Sequence, residues 1–222
     1  MIAISDLHFD YPDGAFALEI DALRVERGEK VAFIGPSGSG KTTLVYLVAG
    51  ILTPRSGRLE VGGEDLTRRS DGWRRDFRIA RIGFVFQEFE LLDYLSVREN
   101  ILLPYYVNNS LNLSASVRRT VDALAESMGL AGMLRRRPGT LSQGEKQRVA
   151  ICRALATSPE ILIADEPTGN LDPKTADLSL SLLLEEVRRR RATLLMVTHN
   201  HALLDRFDRV IDVLDFAGEG AK

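Results

Sequence analysis

Cysteine is all but missing from this chain. Cys152 is the only one among 222 residues, which excludes an internal disulfide and fits a reducing compartment. It lies in a helical stretch between Ile151 and Arg153, where a small packing residue is expected rather than a catalytic thiol. Long apolar runs are missing too. Leu194-Leu195-Met196-Val197 and Ile161-Leu162-Ile163-Ala164 fall far short of the ~20 residues a membrane-spanning helix needs, so any membrane role is expected to come through a partner. The opening Met1-Ile2-Ala3-Ile4-Ser5-Asp6 has neither a positive leader nor an apolar run, and no secretory signal is expected there. Charge of one sign is not in excess either. The formal net charge of −2 provides no basic field to draw nucleic acid or acidic lipid. What is present, 45% hydrophobic and 27% charged residues, suits a folded globular domain rather than a disordered chain. The length allows one large α/β domain or one core with an insertion.

The first third reads as β. Ile2 and Ile4, then Leu18 and Ile20, alternate with more polar neighbours, and residues 23–26 repeat the period of two. After the turn Arg27-Gly28-Glu29, Val31-Ala32-Phe33-Ile34 is a continuous apolar run of the buried-strand kind. A glycine-rich loop follows, then a helical pattern over residues 42–49. Residues 96–156 read as helical, with Pro104, Pro138 and Gly139 as breakers. The last third alternates again: a strand at 161–164, a helix near 175–190, and a strand at 193–198. Buried strands separated by helices imply a parallel sheet covered by helices. The expected architecture is an α/β core with a parallel sheet, an antiparallel β part at the N-terminal end and an inserted α-helical subdomain. Within one domain over 1–222, residues 1–88 and 158–222 form the core and 89–157 the helical subdomain.

Arginine clusters are weighed against solvated surfaces. Residues 188–191 close a helix, where cations favour the negative dipole end, and residues 135–137 read the same way. A third cluster, Arg68, Arg69, Arg74, Arg75, Arg78 and Arg81, is interleaved with Trp73 and Phe77. Glu64, Asp65, Asp71 and Asp76 dilute it, and no nucleic-acid partner is expected.

The residues that carry chemistry begin with Gly35-Pro36-Ser37-Gly38-Ser39-Gly40-Lys41-Thr42, two glycines four apart followed by Lys and Thr. Backbone N–H groups approach crowded, anionic phosphate closely only where side chains are absent. A helix starting at Lys41 adds its N-terminal dipole. Lys41 neutralises β and γ phosphates in this reading, and the Thr42 hydroxyl ligates Mg²⁺. A buried strand before the loop and a helix after it supply the context the motif requires.

Residues 161–166 form an apolar strand ending in Asp165 and Glu166. Two acids at the carboxyl end of a buried strand are costly without a task, and ligands of open α/β sheets bind at that end. Asp165 is expected to hold Mg²⁺, directly or through water. Glu166, expected on the other face of the pleat, would activate the attacking water.

The class of P-loop protein turns on Leu141-Ser142-Gln143-Gly144-Glu145-Lys146-Gln147-Arg148. Ser142 and Glu145 form a capping box that starts a helix, shortly before the Asp165 strand and far after the P-loop. Taken with that spacing, the chain resembles the nucleotide-binding subunit of ABC transporters over nearly its full length. The family signature usually reads Leu-Ser-Gly-Gly-Gln. Here Gln143 stands for one glycine and Glu145 for the glutamine, while Ser142 and Gly144 are kept.

The resemblance implies roles for further residues. Ser142 and Gly144 would touch the γ-phosphate of ATP bound to a second copy, so that two copies close head to tail around two MgATP. Tyr11, before Pro12-Asp13-Gly14, would stack on adenine. The cradle would run from Gly35 through Thr43, Gln87 would sense Mg²⁺ and water, and Asp172 in Gly169-Asn170-Leu171-Asp172 would lie where the loop crosses the dimer. His199, preferred over His201 because it directly follows Val197-Thr198, would contact the γ-phosphate, whereas His8 reads as structural. Residues 81–87, 164–172 and 197–200 resemble the branch of lipoprotein-releasing, macrolide-type export and cell-division ATPases. That implies an integral membrane permease as partner, with the chain peripheral at the cytoplasmic face. A cell-division or soluble regulatory ABC ATPase is the alternative. A GTPase is disfavoured, since no Asn is followed by Lys to begin a guanine motif.

After Gln87, Ser96 and Glu99 make a second capping box. The segment between carries Phe89, Leu91, Leu92, Tyr94 and Leu95. Leu91 and Leu95 are expected to be buried anchors, and Phe89, Leu92 and Tyr94 to remain partly exposed as a groove for a permease helix.

Overall fold

Glycine placement and strand alternation set most of the elements. The computed structural model describes residues 1–216 apart from Asp13 and Ala15; Asp13 of the expected turn after Tyr11, and residues 217–222 of the expected core segment, lie outside the described residues. In chain order the elements are β1 (Ile2–Asp10), β2 (Ala17–Val25), β3 (Lys30–Ile34), α1 (Lys41–Val48), β4 (Ser56–Val61), β5 (Glu64–Asp65), α2 (Asp71–Arg81), β6 (Ile82–Val85), α3 (Val97–Val107), α4 (Ala115–Ser127), α5 (Gln143–Leu155), β7 (Ile161–Asp165), α6 (Pro173–Arg190), β8 (Thr193–Val197) and β9 (Arg209–Asp212). They fall into two compact units: Met1–Arg78 with Thr193–Lys222, and Ile79–Ala192.

In the first unit β2, β1, β4 and β5 form an antiparallel sheet in that order. Ile2 and Ile4 point into its core, and then the phase slips so that Leu7 and Phe9 follow. The slip is a bulge: pairing to β4 shifts between Ser5 and His8, and Asp6 adopts φ 47°. Gly57 makes room for it, because a Cβ there would lie 2.2 Å from the Asp6 carbonyl oxygen. In the same unit β3 runs parallel to both β8 and β9, with Val31, Ala32 and Phe33 fully buried. The arginines of α2 find structural work here. Arg74 Nε donates to the Gly50 carbonyl and Arg78 to those of Ala49 and Gly50, each at 3.2 Å, so they satisfy main-chain acceptors left over at the end of α1. Arg69 pairs with Glu64 and lies over the Trp73 ring, which stacks on Phe77.

In the second unit β6 and β7 pair in parallel. Helix α5 packs against β6, α3, α4 and α6 and is largely enclosed. Gly83 lets β6 pass α5, since a Cβ at that position would meet the Ala154 carbonyl oxygen at 2.2 Å. Cys152 is buried; burial first, and Glu186 second, push its thiol well above the usual range, in keeping with a packing role. The expected subdomain, residues 89–157, falls inside this unit, which also contains β6, β7 and α6. Pro104 does not break α3, which runs on to Val107. It stands one turn from the end, so its missing N–H removes only a single late helical bond.

The basic end of α6 is not simply solvated. Glu186 is buried and accepts from Arg189 at 2.6 and 2.7 Å, from Arg190 at 3.1 Å and from Ser127 on α4 at 3.1 Å. Arg190 also reaches the Leu155 carbonyl and Ser158 Oγ, tying α6 to the end of α5. Burial alone would raise the Glu186 pKa, but the hydrogen bonds from Arg189, Arg190 and Ser127 hold it below the ordinary carboxylate range. The native state therefore binds this proton less readily than the unfolded chain. The stabilisation is complete above the unfolded carboxyl pKa and is lost as pH falls through the lower native value. Glu186→Gln is expected to lower the melting temperature at pH 7 by about 5 °C, the scale of roughly 2 kcal/mol for charge-assisted bonds in a chain of this size. Thermal melts from pH 7 to 3 should show the gap to wild type closing below about pH 4; a constant gap would show that charge is not the cause.

Candidate functional site

The first unit carries a phosphate loop. Gly35, Gly38 and Gly40 take φ 143°, 80° and 96° between β3 and α1, the left-handed region that glycine enters without strain. Phe16 closes against this loop: a Cβ on Gly40 would stand 2.5 Å from its ring. Gly40 is the N-cap of α1 and no side chain caps that end, the kind of helix start that binds anions. Lys41 is buried, its Nζ donating to the carbonyls of Gly35 at 2.9 Å and Pro36 at 2.7 Å. Ser39 Oγ is buried without a hydrogen-bond partner among the described residues. An orphaned hydroxyl inside an amide-lined loop is what a bound phosphate oxygen would satisfy. Pro36, Ser37, Gly38 and Thr42 are exposed along the same loop, and Thr43 is buried beneath it.

Two further residues of that unit were expected at the nucleotide. Tyr11 is half-buried, edge-on to Phe9 with ring centroids 4.9 Å apart, and its hydroxyl lies 3.2 Å from Thr43 Oγ1. The end of β1 is thereby tied to the first turn of α1. His199 is exposed just beyond β8, in a bend where Thr198 Oγ1 accepts from the Asn200 N–H and Asn200 Oδ1 from the Ala202 N–H.

The second unit carries the acids. Asp165 closes β7 and is only 8% exposed. Glu166 is not on the opposite face of a continuing pleat as expected: the strand stops at Asp165 and Glu166 enters the left-handed region at φ 45°. A side chain other than glycine seldom adopts that conformation, and such residues cluster at functional sites. The turn closes when the Gly169 N–H donates to the Glu166 carbonyl at 3.1 Å. Measured from the position a Gly169 Cβ would occupy, Glu166 Oε2 is at 3.7 Å and Gln87 Nε2 at 3.8 Å. Asn170 Nδ2 donates to the Gln87 carbonyl. Gln87, far away in sequence, therefore meets Glu166 and the 169–172 loop.

Helices α5 and α6 present their N-terminal ends to one cleft of about 360 Å³. Ser142 caps α5 through the expected box, its N–H donating to Glu145 Oε2 at 2.7 Å and its Oγ accepting from the Glu145 N–H. Glu145 thus does locally what glutamine would do in the usual signature. Asp172 caps α6 by accepting from the Thr175 N–H at 3.1 Å, and hydrogen bonds from the Thr175 side chain first and its backbone second hold the Asp172 carboxyl below the ordinary range. Gly144 packs closely against α6: a Cβ there would meet Thr175 Cγ2 at 2.3 Å. Ser142, Gln143, Gly144, Arg148, Asn170 and Asp172 line the cleft. Arg148 was not singled out from sequence. Its spacing of four from Gly144 on one helix was the available signal.

A lysine-bearing glycine loop at a helix start, with paired acids at a strand end, defines a P-loop nucleotide-binding protein. A family model described as ABC transporter matches residues 18–169. The lipoprotein-releasing system ATP-binding protein LolD of Jannaschia sp. (strain CCS1) is 42% identical over 215 residues, spanning 95% of this chain and 93% of its own. LolD of Geobacter metallireducens (strain GS-15) is 40% identical over 225 residues, 97% and 96% of the two chains. Of solved structures, the dimeric bacterial ABC transporter cassette MJ0796 aligns with a TM-score of 0.83 at 32% identity, covering 96% and 94%. A dimeric post-hydrolysis state of that cassette, bound to ADP and Pi, aligns with the same TM-score at 31% identity over the same shares. The chain belongs to the ABC transporter family, as an ATP-binding and ATP-hydrolysing subunit with the α/β fold of that class: antiparallel N-terminal sheet, parallel P-loop core and helical subdomain.

Proposed function

We propose that this chain powers a lipoprotein-release type of transporter, lying at the cytoplasmic face of a membrane through an integral permease. Two copies would close head to tail around two MgATP. The supporting observation is identity of about two residues in five to LolD proteins along nearly the whole of both chains.

Roles follow from the chemistry of each group. Lys41 would exchange the carbonyls of Gly35 and Pro36 for phosphate oxygens, and the N–H groups from Gly38 to Thr43 would cradle them. Tyr11 would stack on adenine. Thr42 and Asp165 supply hard oxygen donors of the kind Mg²⁺ takes. Among the described residues no three His, Cys, Asp or Glu groups gather to hold a metal by themselves, so the ion would arrive with the nucleotide. When bound, Mg²⁺ would neutralise charge building on the transferred phosphoryl group. Glu166 would take the proton of the attacking water, Gln87 would orient that water, and His199 would donate to the γ-phosphate. Ser142 and Gly144, at a positively polarised helix end, would bind the γ-phosphate held by the other copy, with Asp172 at the same interface.

The segment after Gln87 is the proposed permease contact. Phe89 and Leu92 are half-buried and Tyr94 stands clear, 70% exposed, as expected, whereas Leu91 and Leu95 are half-buried rather than fully buried. That leaves the tyrosine as the protruding group of the segment. Tyr94→Asp is expected to leave the melting temperature of the isolated subunit within about 1 °C, since exposed substitutions are close to neutral. Burying a charge in place of an aromatic anchor should weaken co-purification with the permease by roughly tenfold or more. Unfolding of that variant, or undiminished co-purification, would count against this docking surface.

A further inference from the structure

The end of α5 away from the cleft and the proposed permease segment are joined by one buried side chain. Arg153 lies near the C-terminal end of α5 and is 8% exposed. Its two terminal nitrogens donate to consecutive main-chain carbonyls, those of Phe89 at 2.8 Å and of Glu90. Glu90 adopts φ 49°, a conformation that L-residues take rarely and that needs support from outside the segment. The rest of the segment is fixed from α3. Asn100, fully buried, accepts from the Leu92 N–H at 2.8 Å and donates to the carbonyls of Leu92, Leu95 and Ser96. The stretch from Phe89 to Leu95 is therefore held by two side chains rather than by regular secondary structure, with Tyr94 projecting between the attachment points. A planar guanidinium fixes the direction of both carbonyls at once, which a single-point donor does not.

From Gln143 to Arg153 the helix rises about 15 Å, and a packed helix moves as one body. We propose that Arg153 is a positioning residue that couples the two ends of α5. When the N-terminal end shifts on engaging nucleotide, Arg153 carries the carbonyls of Phe89 and Glu90 with it and re-aims the segment bearing Tyr94. This rests on the reading that Ser142 and Gly144 bind the nucleotide of a second copy.

The test uses the full chain with Glu166→Gln, expected to hold ATP without turnover, and Asp93→Cys carrying an environment-sensitive fluorophore. Position 93 is exposed and Cys152 is buried, so the label is confined to the segment. With Arg153 present, MgATP should produce dimers by light scattering together with a fluorescence change. Adding Arg153→Gln should leave ATP affinity and dimer formation within about twofold but cut the fluorescence response about fivefold or more, the lower range of site-to-site coupling. A full response in that variant overturns the proposal. Should Arg153→Gln not fold, Arg153→Lys decides: it keeps the cation without the fork, and a response reduced about twofold supports the coupling, whereas an unchanged response refutes it. Failure of the Arg153-containing parent to dimerise with ATP would instead sink the head-to-tail reading. A parent that dimerises with a silent label would sink this inference alone.

Discussion

Glu166→Gln is expected to give a subunit that binds MgATP, dimerises around it and stays closed. The two side chains have the same shape, so the left-handed turn at residue 166 and its closure by the Gly169 N–H remain. What is lost is basicity: an amide does not take a proton from water. Removing a general base costs roughly 10²- to 10⁴-fold in turnover. Asp165 and Thr42 are untouched, so nucleotide affinity should stay within about threefold. Phosphate release and light scattering on the same sample check both halves of the expectation. Hydrolysis at the wild-type rate would remove Glu166 from the role of base.

Mixing two inactive subunits should restore activity. Lys41→Ala removes the phosphate clamp, and Ser142→Arg places a bulky cation at the end of α5. Each alone should fall by about 10²-fold or more, since both groups face developing phosphate charge. If Ser142 serves the nucleotide of the other copy, a mixed pair contains one site in which both groups are intact. Random pairing makes half the dimers mixed, so roughly a quarter of all sites are whole, and the mixture should regain about that share of wild-type activity. Wild-type activity should also rise more steeply than linearly with concentration while dimers are scarce. A mixture no more active than its parts, or strict proportionality under dilution, would mean that each chain hydrolyses ATP alone.

The parts of the site that could be read beforehand are those set by short-range physics. Phosphate binding asks for main-chain N–H groups in a left-handed, side-chain-free turn, and Gly35 to Thr42 encode that within eight residues. The capping boxes at Ser96 and Ser142 are equally local, and both appear with the bonds expected of them. The apolar run ending in Asp165 and Glu166 places two acids at a strand end whatever surrounds it. The conformation at Glu166 was not legible, because alternation along a strand says nothing about where the strand stops.

The sequence by itself determined the ligand class, the main strands and helices flanking the glycine-rich loop and the acids, and the candidate residues for hydrolysis, because those depend on neighbours within a turn or two. Only the tertiary structure decided which of those residues meet and what holds them. Gly144 is a close contact with Thr175, Gln87 shares a turn with Glu166 and Asn170, Arg153 grips carbonyls more than sixty residues earlier, and Glu186 turns an apparently solvated arginine end into a buried ionic knot. Tyr94 and Leu92 read alike as apolar groups in a linker, yet Leu92 is half-buried and Tyr94 is 70% exposed. Such outcomes depend on side chains brought together by packing across long sequence separations, and no local periodicity or propensity carries that information.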